Sequence, residues 1–298
     1  MNQITKTKIN TAEIITDNAL NNRKKSKKRV FGIFKHLFLI LSCTLVLAPI
    51  IMILFNSFKT PEEYMYSNVF SIPESFLNFD NFIAVFTKGN MLTGLKNSAI
   101  LVIGSCALSI TMGTMVAYSI NRFDFFGNKA IMLLYTLAAV IPSTTTQVAT
   151  FSLIKGLGLY NTLFSGIILF AGTDLIQIYI YLQFIGNIPT SLDESAMVEG
   201  ASYFRIFWKI IFPLMMPATI TVLVIKVIAV YNDLYIAFLY MPKYKTVSTA
   251  LYSFSGENNT QWNVMSAAIL FALIPTLILY FCMQKYIYSG VTNGAVKE

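Results

Sequence analysis

Long apolar runs separated by short polar segments set the first expectation. Four stretches contain no Asp, Glu, Lys or Arg at all: Leu37–Phe58 with 22 residues, Asn97–Asn121 with 25, Ala130–Ile154 with 25 and Asn258–Gln284 with 27. Each reaches the roughly 20 mostly apolar residues that a helix needs to cross a bilayer. Two further runs, 162–186 and 215–241, are interrupted by Asp174 in the first and by Lys226 and Asp233 in the second. Their flanks are strongly apolar, and backbone at membrane depth satisfies its amides most readily as a helix. The pattern predicts an all-α polytopic membrane protein with about six transmembrane helices, near 37–58, 97–121, 130–154, 162–186, 215–241 and 263–284.

Composition agrees. The 298 residues are 55% hydrophobic and 12% charged, with a mean hydropathy of +0.62, whereas a soluble domain carries roughly a quarter charged residues. The run Arg23–Arg29 would suggest a nucleic-acid patch in a soluble chain; beside a membrane helix it reads as an anchor on the cytoplasmic side. A cleaved signal peptide is not expected, because the basic run follows a long polar tail and no small-residue cleavage pattern follows the apolar stretch. With the N-terminus inside, the cytoplasmic segments hold 15 Lys and Arg and the opposite side holds six, Lys59, Lys88, Lys96, Lys155, Lys243 and Lys245. Both termini are therefore expected in the cytoplasm. Cys43, Cys106 and Cys282 all fall inside expected spans, where they act as small apolar residues. His36 is the only histidine, which excludes a multi-histidine metal site.

Residues 1–30 read as a polar tail and 31–298 as one transmembrane domain. Lys59–Lys96, with Pro61, Pro73, four acids and several aromatics, is too apolar for a plain linker; a short interfacial helix is expected near Phe79–Phe86. It either caps the helix ends or meets an external partner. Pro242–Trp262 is a polar loop on the same side. Gly89–Lys96 lacks the Gly-Lys-Ser/Thr ending of a phosphate loop. No segment looks able to bind and hydrolyse ATP.

The loop 187–213 carries the most information. Ser191 is a candidate N-cap, and Asp193 and Glu194 fall in the first turn, where acids complement the helix dipole. Helix formers run to Glu199, Gly200 breaks the run, and a second amphipathic stretch runs from about Ser202 to Phe212 before Pro213. Helix, glycine turn and helix are thus expected along the cytoplasmic face.

Glu194-Ser-Ala-Met-Val-Glu-Gly-Ala201, followed by Phe204, Ile210, Pro213, Leu214 and Pro217, resembles the EAA loop of ABC-importer permeases, with Ser195 for Ala and Glu199 for Asp. The ending Gln284-Lys-Tyr-Ile-Tyr-Ser-Gly-Val-Thr-Asn-Gly-Ala-Val-Lys297 is similar to the tail of carbohydrate permeases of the maltose type. Tyr231-Asn-Asp233 resembles that family's W-N-D/E motif, and Lys59-Thr60, Glu63, Pro73, Asn81 and Phe86 fit its spacing. The resemblance covers nearly all of 35–298. It implies the ABC-importer permease fold, a second homologous permease, a cytoplasmic ATPase dimer that binds ATP and Mg, an extracytoplasmic sugar-binding protein, and a bacterial cytoplasmic membrane. The chain itself is then non-enzymatic and binds no cofactor or metal. Docking to the ATPase is implied for Glu194, Ala196, Glu199, Gly200 and Ala201. The competing reading is a related importer of a non-sugar solute, which shares the loop but not the tail.

Ionisable residues at membrane depth are functional candidates. Lys226 and Asp233 lie seven residues apart, two helical turns, and Asp174, Gln177 and Tyr181 share a stripe. With Asn232, these groups either line a translocation path or, through Lys226 and an aspartate, form an ion pair that fixes span packing.

Overall fold

The computed structural model describes residues 32, 34–255 and 261–295, and the regular structure among them is helical. The tail 1–30 with its basic run, part of the loop 242–262 and the last three residues lie outside the described residues. Three helices are long and apolar enough to cross a bilayer: α1 (Phe34–Phe58), α4 (Met91–Arg122) and the Trp262–Gln284 part of α15 (Trp262–Ala295). Three bent pairs bring the candidate spans to six. These are α5 (Asn128–Val140) with α6 (Ser143–Gly156), bent by 104°, α7 (Leu163–Ala171) with α8 (Leu175–Ile185), bent by 49°, and Tyr203–Leu214 with α12 (Met216–Asn232), bent by 74°. Shorter helices lie between them: α2 (Pro61–Tyr66), α3 (Asp80–Thr87), α9 (Ser191–Val198), α10 (Tyr203–Ile206), α11 (Phe212–Leu214), α13 (Tyr235–Tyr240) and α14 (Val247–Tyr252).

Each interruption of the expected spans 130–154, 162–186 and 215–241 has a local cause. Pro142 is extended, at φ −62° and ψ 132°, and has no N–H to continue a helix, so the uncharged window 130–154 becomes two helices nearly at right angles rather than one straight crossing. In 162–186 the chain extends at Gly172 and restarts when the Asp174 carboxylate accepts the Gln177 N–H at 2.8 Å. In 215–241, α12 stops at Asn232, because Asp233 is extended and its Oδ1 accepts the Ile236 N–H at 2.7 Å to open a new turn. Lys226 and Asp233 therefore do not share the face of one continuous helix.

The central element is α4, which packs against α7, α8, α12 and α14. Its buried positions include Gly94, Ser98, Leu101, Ser105, Ser109, Gly113 and Ala117, mostly small residues three or four apart. Helices in lipid gain little from hydrophobic association, so close packing and interhelical hydrogen bonds hold them together. Ser109 Oγ donates to Gln177 Oε1 at 3.0 Å, and Gln177 Nε2 donates back to the Ser109 carbonyl at 2.8 Å. Gly113 makes room for this exchange, since a Cβ there would sit 2.4 Å from Gln177 Nε2. Toward its N-terminal end α4 grips the chain before α14: Asn97 Nδ2 donates to the Lys245 carbonyl at 2.8 Å, and Ser98 Oγ accepts the Val247 N–H at 3.0 Å.

A second polar knot closes that end of the bundle. Lys59, fully buried, donates through Nζ to the Asn68 carbonyl at 2.7 Å and to Ser71 Oγ at 3.0 Å. Burial pushes its ammonium pKa down, and Glu63 partly offsets the shift. Asn81 Nδ2 donates to the carbonyls of Ser57 and Lys59, both at 2.8 Å, while Asn263 Nδ2 donates to Asn81 Oδ1 at 2.8 Å. This ties α1, α3 and the start of α15 together. Phe58 meets Phe76 and Phe79 edge-on and Phe82 at a tilt.

A test of the α4 seam compares two glycines. Gly113→Val should overpack the Ser109–Gln177 contact and destabilise the solubilised protein by about 1–3 kcal/mol. Gly156→Ala, where a Cβ meets nothing within 4 Å, should leave thermal unfolding unchanged or raise its midpoint slightly.

Candidate functional site

The loop after α8 folds as helix, turn and helix. Asp193 and Glu194 occupy the first turn of α9. The helix closes at Gly200, whose φ of +83° suits a residue without Cβ. The Gly200 N–H reaches the Met197 carbonyl at 2.9 Å and the Ala201 N–H reaches the Ala196 carbonyl at 3.0 Å, the paired bonds of a Schellman stop. Ser202 then caps α10, accepting the Arg205 N–H at 3.4 Å. The path continues through a π-helical turn, Phe207–Ile211, and α11 into the 74° elbow at Met215. Pro213 lacks the donor a regular helix needs, and the wide turn lies just before it. Pro217 sits in the first turn of α12, where no donor is required.

What fixes this surface unit is a buried ion pair. Arg122 Nε, at the end of α4, lies 3.0 Å from Asp193 Oδ2, and both side chains are 8% exposed. Tyr118 OH donates to Asp193 Oδ1 at 3.2 Å, and Arg122 Nη2 donates to the Ile188 carbonyl at 2.8 Å. Around the pair, Tyr118 packs on Phe123 and Phe207 with ring centroids 5.6 Å apart in each case, and Phe123 packs on Tyr203 at 5.0 Å. Ile206, Phe207, Ile211 and Met215 continue this core beneath the loop.

The five loop residues expected to meet a partner divide between two faces. Glu194, Glu199 and Gly200 are exposed, Ala201 is half-buried, and Ala196 is buried against this chain's own core. The small size of Ala196 therefore lets α9 approach its own bundle. The loop's exposed side chains instead include the apolar Val198, 90% exposed, and Phe204, 65% exposed, beside the two glutamates in sequence. Sequence reasoning missed Arg122, Asp193 and Tyr118 as the anchor. A basic residue closing a span and an acid in the first short helix of the 187–213 loop were both visible, but their pairing depends on how the chain folds back.

The membrane-depth candidates also separate. Lys226 Nζ donates to the Gly172 carbonyl at 2.8 Å and lies 3.2 Å from Asp174 Oδ2. One lysine on α12 thus supplies the donor lost at the α7 end and neutralises the acid that caps α8. Gln177 and Tyr181 are buried between α8 and α4, because the stripe they share points into the bundle. Asn232 is exposed and Asp233 half-exposed, beside the α12–α13 break. Among the described residues, no group of three or more His, Cys, Asp or Glu is placed to hold a metal ion.

Comparison with known proteins places this geometry in a family context. The family model described as "Binding-protein-dependent transport system inner membrane component" matches residues 109–293. The chain is similar to the probable starch degradation products transport system permease protein AmyC of Thermoanaerobacterium thermosulfurigenes, 31% identical over 85% of this chain and 92% of that protein. It is also similar to the melibiose/raffinose/stachyose import permease protein MelC of Bacillus subtilis, 31% identical over 84% of this chain and 91% of that protein. The maltodextrin transport system permease protein MalD of Streptococcus pneumoniae is 27% identical over 93% of this chain and all of its own length. In fold, the chain resembles a subunit of a bacterial ABC transporter involved in the import of the acidic polysaccharide alginate, with a TM-score of 0.76, 22% identity, and 87% and 96% of the two chains covered.

Removing one partner of a buried ion pair strands the other. Arg122→Met is expected to destabilise the α9 attachment by about 3–5 kcal/mol, read as faster proteolysis within 187–202 and a lower unfolding midpoint. Arg122→Met combined with Asp193→Leu should recover most of that loss.

Proposed function

This chain belongs to the binding-protein-dependent transport system inner membrane components, and on that footing we propose that it carries oligosaccharides across a bacterial cytoplasmic membrane as one half of a two-permease channel. It is a multi-pass transport subunit and not an enzyme. The observation that carries the mechanistic part is the acidic, bent α9 unit, held to α4 by the Arg122–Asp193 pair and offering Glu194, Val198, Glu199 and Phe204 outward.

In this reading a cytoplasmic ATPase dimer, which binds ATP and Mg, receives that outer face in a cleft. Val198 and Phe204 supply apolar contact, and the two glutamates select a basic rim. Because α9 cannot slide relative to α4 without breaking a buried ion pair, displacement of the loop moves α4 and the helices gripped along its length. The two permeases then alternate between inward and outward openings. An extracytoplasmic binding protein delivers the sugar on the opposite side, where the knot around Lys59 and Asn81 keeps the helix ends in register. The sugar assignment draws support from the relatives, named for starch products, melibiose, raffinose, stachyose and maltodextrin.

Charge reversal tests the coupling. Glu194→Lys with Glu199→Lys should lower ATPase co-purification about tenfold or more and abolish sugar uptake, while leaving membrane insertion and thermal stability intact, since both carboxylates are exposed. Unchanged ATPase retention contradicts the docking role. Orientation is tested separately in a chain whose native cysteines are replaced. Lys243→Cys should react with an impermeant thiol reagent in intact cells, and Lys209→Cys only after permeabilisation.

A further inference from the structure

Most side chains exposed along the spans are apolar, as lipid requires, but one place is not. At the 104° break between α5 and α6, the first turns of α6 read Ser143-Thr-Thr-Thr-Gln147 and are largely exposed. Ser143, Thr144, Thr146 and Gln147 line a cavity of about 520 Å³ together with Asp233 and Tyr235 from the α12–α13 break. The turn that breaks one candidate span and the end of another, at Asp233, thus meet with hydroxyl, amide and carboxylate groups that lipid would leave unsatisfied. Such a wall faces water or cargo, and irregular backbone at membrane depth is tolerated where it lines a cavity.

The chemistry of the wall narrows the cargo. Thr146 Oγ1 donates to the Ser143 carbonyl at 3.0 Å, so this hydroxyl keeps its acceptor lone pairs for a donor outside. Thr144 is exposed, and its hydroxyl has no partner among the described residues. The Tyr235 ring, 63% exposed, offers a flat face. The only charged lining residue is Asp233, whose Oδ1 already accepts the Ile236 N–H at 2.7 Å. No lysine or arginine lines the cavity. A uronate would bring a second negative charge to an uncompensated carboxylate, whereas the hydroxyls of a neutral saccharide can donate to it and lay a ring on Tyr235.

We propose that the cavity between the α5–α6 and α12–α13 breaks is a direct binding wall for an uncharged oligosaccharide on this subunit, and that Asp233 makes it select against acidic ones. This rests on the reading of the chain as a sugar permease. The wall takes one or two sugar rings at a time, as its size allows, with Thr144 and Asp233 holding hydroxyls and Tyr235 stacking on a pyranose face.

The test uses the assembled transporter in vesicles with its binding protein, supplied in turn with labelled maltotriose, raffinose, stachyose and a trigalacturonate. Wild type should import at least one neutral sugar and not the trigalacturonate. Tyr235→Ala and Thr144→Val should each raise the KM for the neutral sugar at least fivefold, and Tyr235→Phe, which keeps the ring, should hold KM within twofold of wild type. In a background lacking the native cysteines, Thr144→Cys should be labelled by a small thiol reagent and protected by the imported sugar. If wild type imports none of the neutral sugars, the sugar reading itself fails and this inference goes with it. If wild type imports a neutral sugar but Tyr235→Ala and Thr144→Val leave KM within twofold, or Thr144→Cys labels equally with and without sugar, the reading stands and the binding wall is overturned. Import of the trigalacturonate by wild type overturns the selection by Asp233.

Discussion

A guanidinium and a carboxylate shielded from water at the end of α4 make the surface loop and the membrane bundle a single mechanical piece. Asp193 lies in the first turn of a helix only eight residues long, too short to be stable alone. Its position is dictated by Arg122 and Tyr118 on one side and by the aromatic core of Tyr118, Phe123, Tyr203 and Phe207 on the other. A buried pair is poor evidence of net stability, because desolvating both ions costs several kcal/mol. Its value is geometric: it makes one register of α9 on α4 far better than any other, which an apolar contact alone does not provide.

The same economy governs the interior of the bundle. Three of the six candidate spans are bent, and each bend exposes backbone groups that lipid leaves unsatisfied. At the α7–α8 break the debt is settled within the chain, by Lys226 on the Gly172 carbonyl and by the Asp174 side chain on the Gln177 N–H. That break is consequently a fixed feature of the packing. The break at Pro142 is left with an exposed hydroxyl-rich turn, and the neighbouring break at Asp233 opens onto the same cavity. Of two kinds of broken helix in one bundle, then, one is sealed by this chain's own side chains and the other is open.

How much of this was legible beforehand varied with the range of the interactions. The all-α fold with about six candidate spans and the helix–glycine–helix loop follow from local signals: uncharged runs, an acid-rich first turn, and Gly200 ahead of a serine cap. The bends at Pro142 and Asp233 did not follow, since a window free of charge looks the same whether straight or broken, and Pro142 alone does not say by how much the chain turns. For Lys226 and Asp174 the pairing was one of two open readings, and the structure brings the two together at 3.2 Å. Gln177 and Tyr181 illustrate the opposite case. Polarity marked them as candidates, but only the packing of α8 on α4 shows that their stripe points inward, where Ser109 takes up Gln177. Ala196 likewise carries the small residue of a docking motif and spends it on its own bundle.

The central claim is that α9 and α4 move as one body. Spin labels at Met112 on α4 and Ser195 on α9, in the assembled transporter, measure this directly by pulsed electron paramagnetic resonance. Between the nucleotide-free and ATP-trapped states their distance should stay constant to within about 2 Å while distances to the second permease change. A shift of the α9 label relative to α4 on ATP binding, with the Arg122–Asp193 pair intact in sequence, would contradict the account.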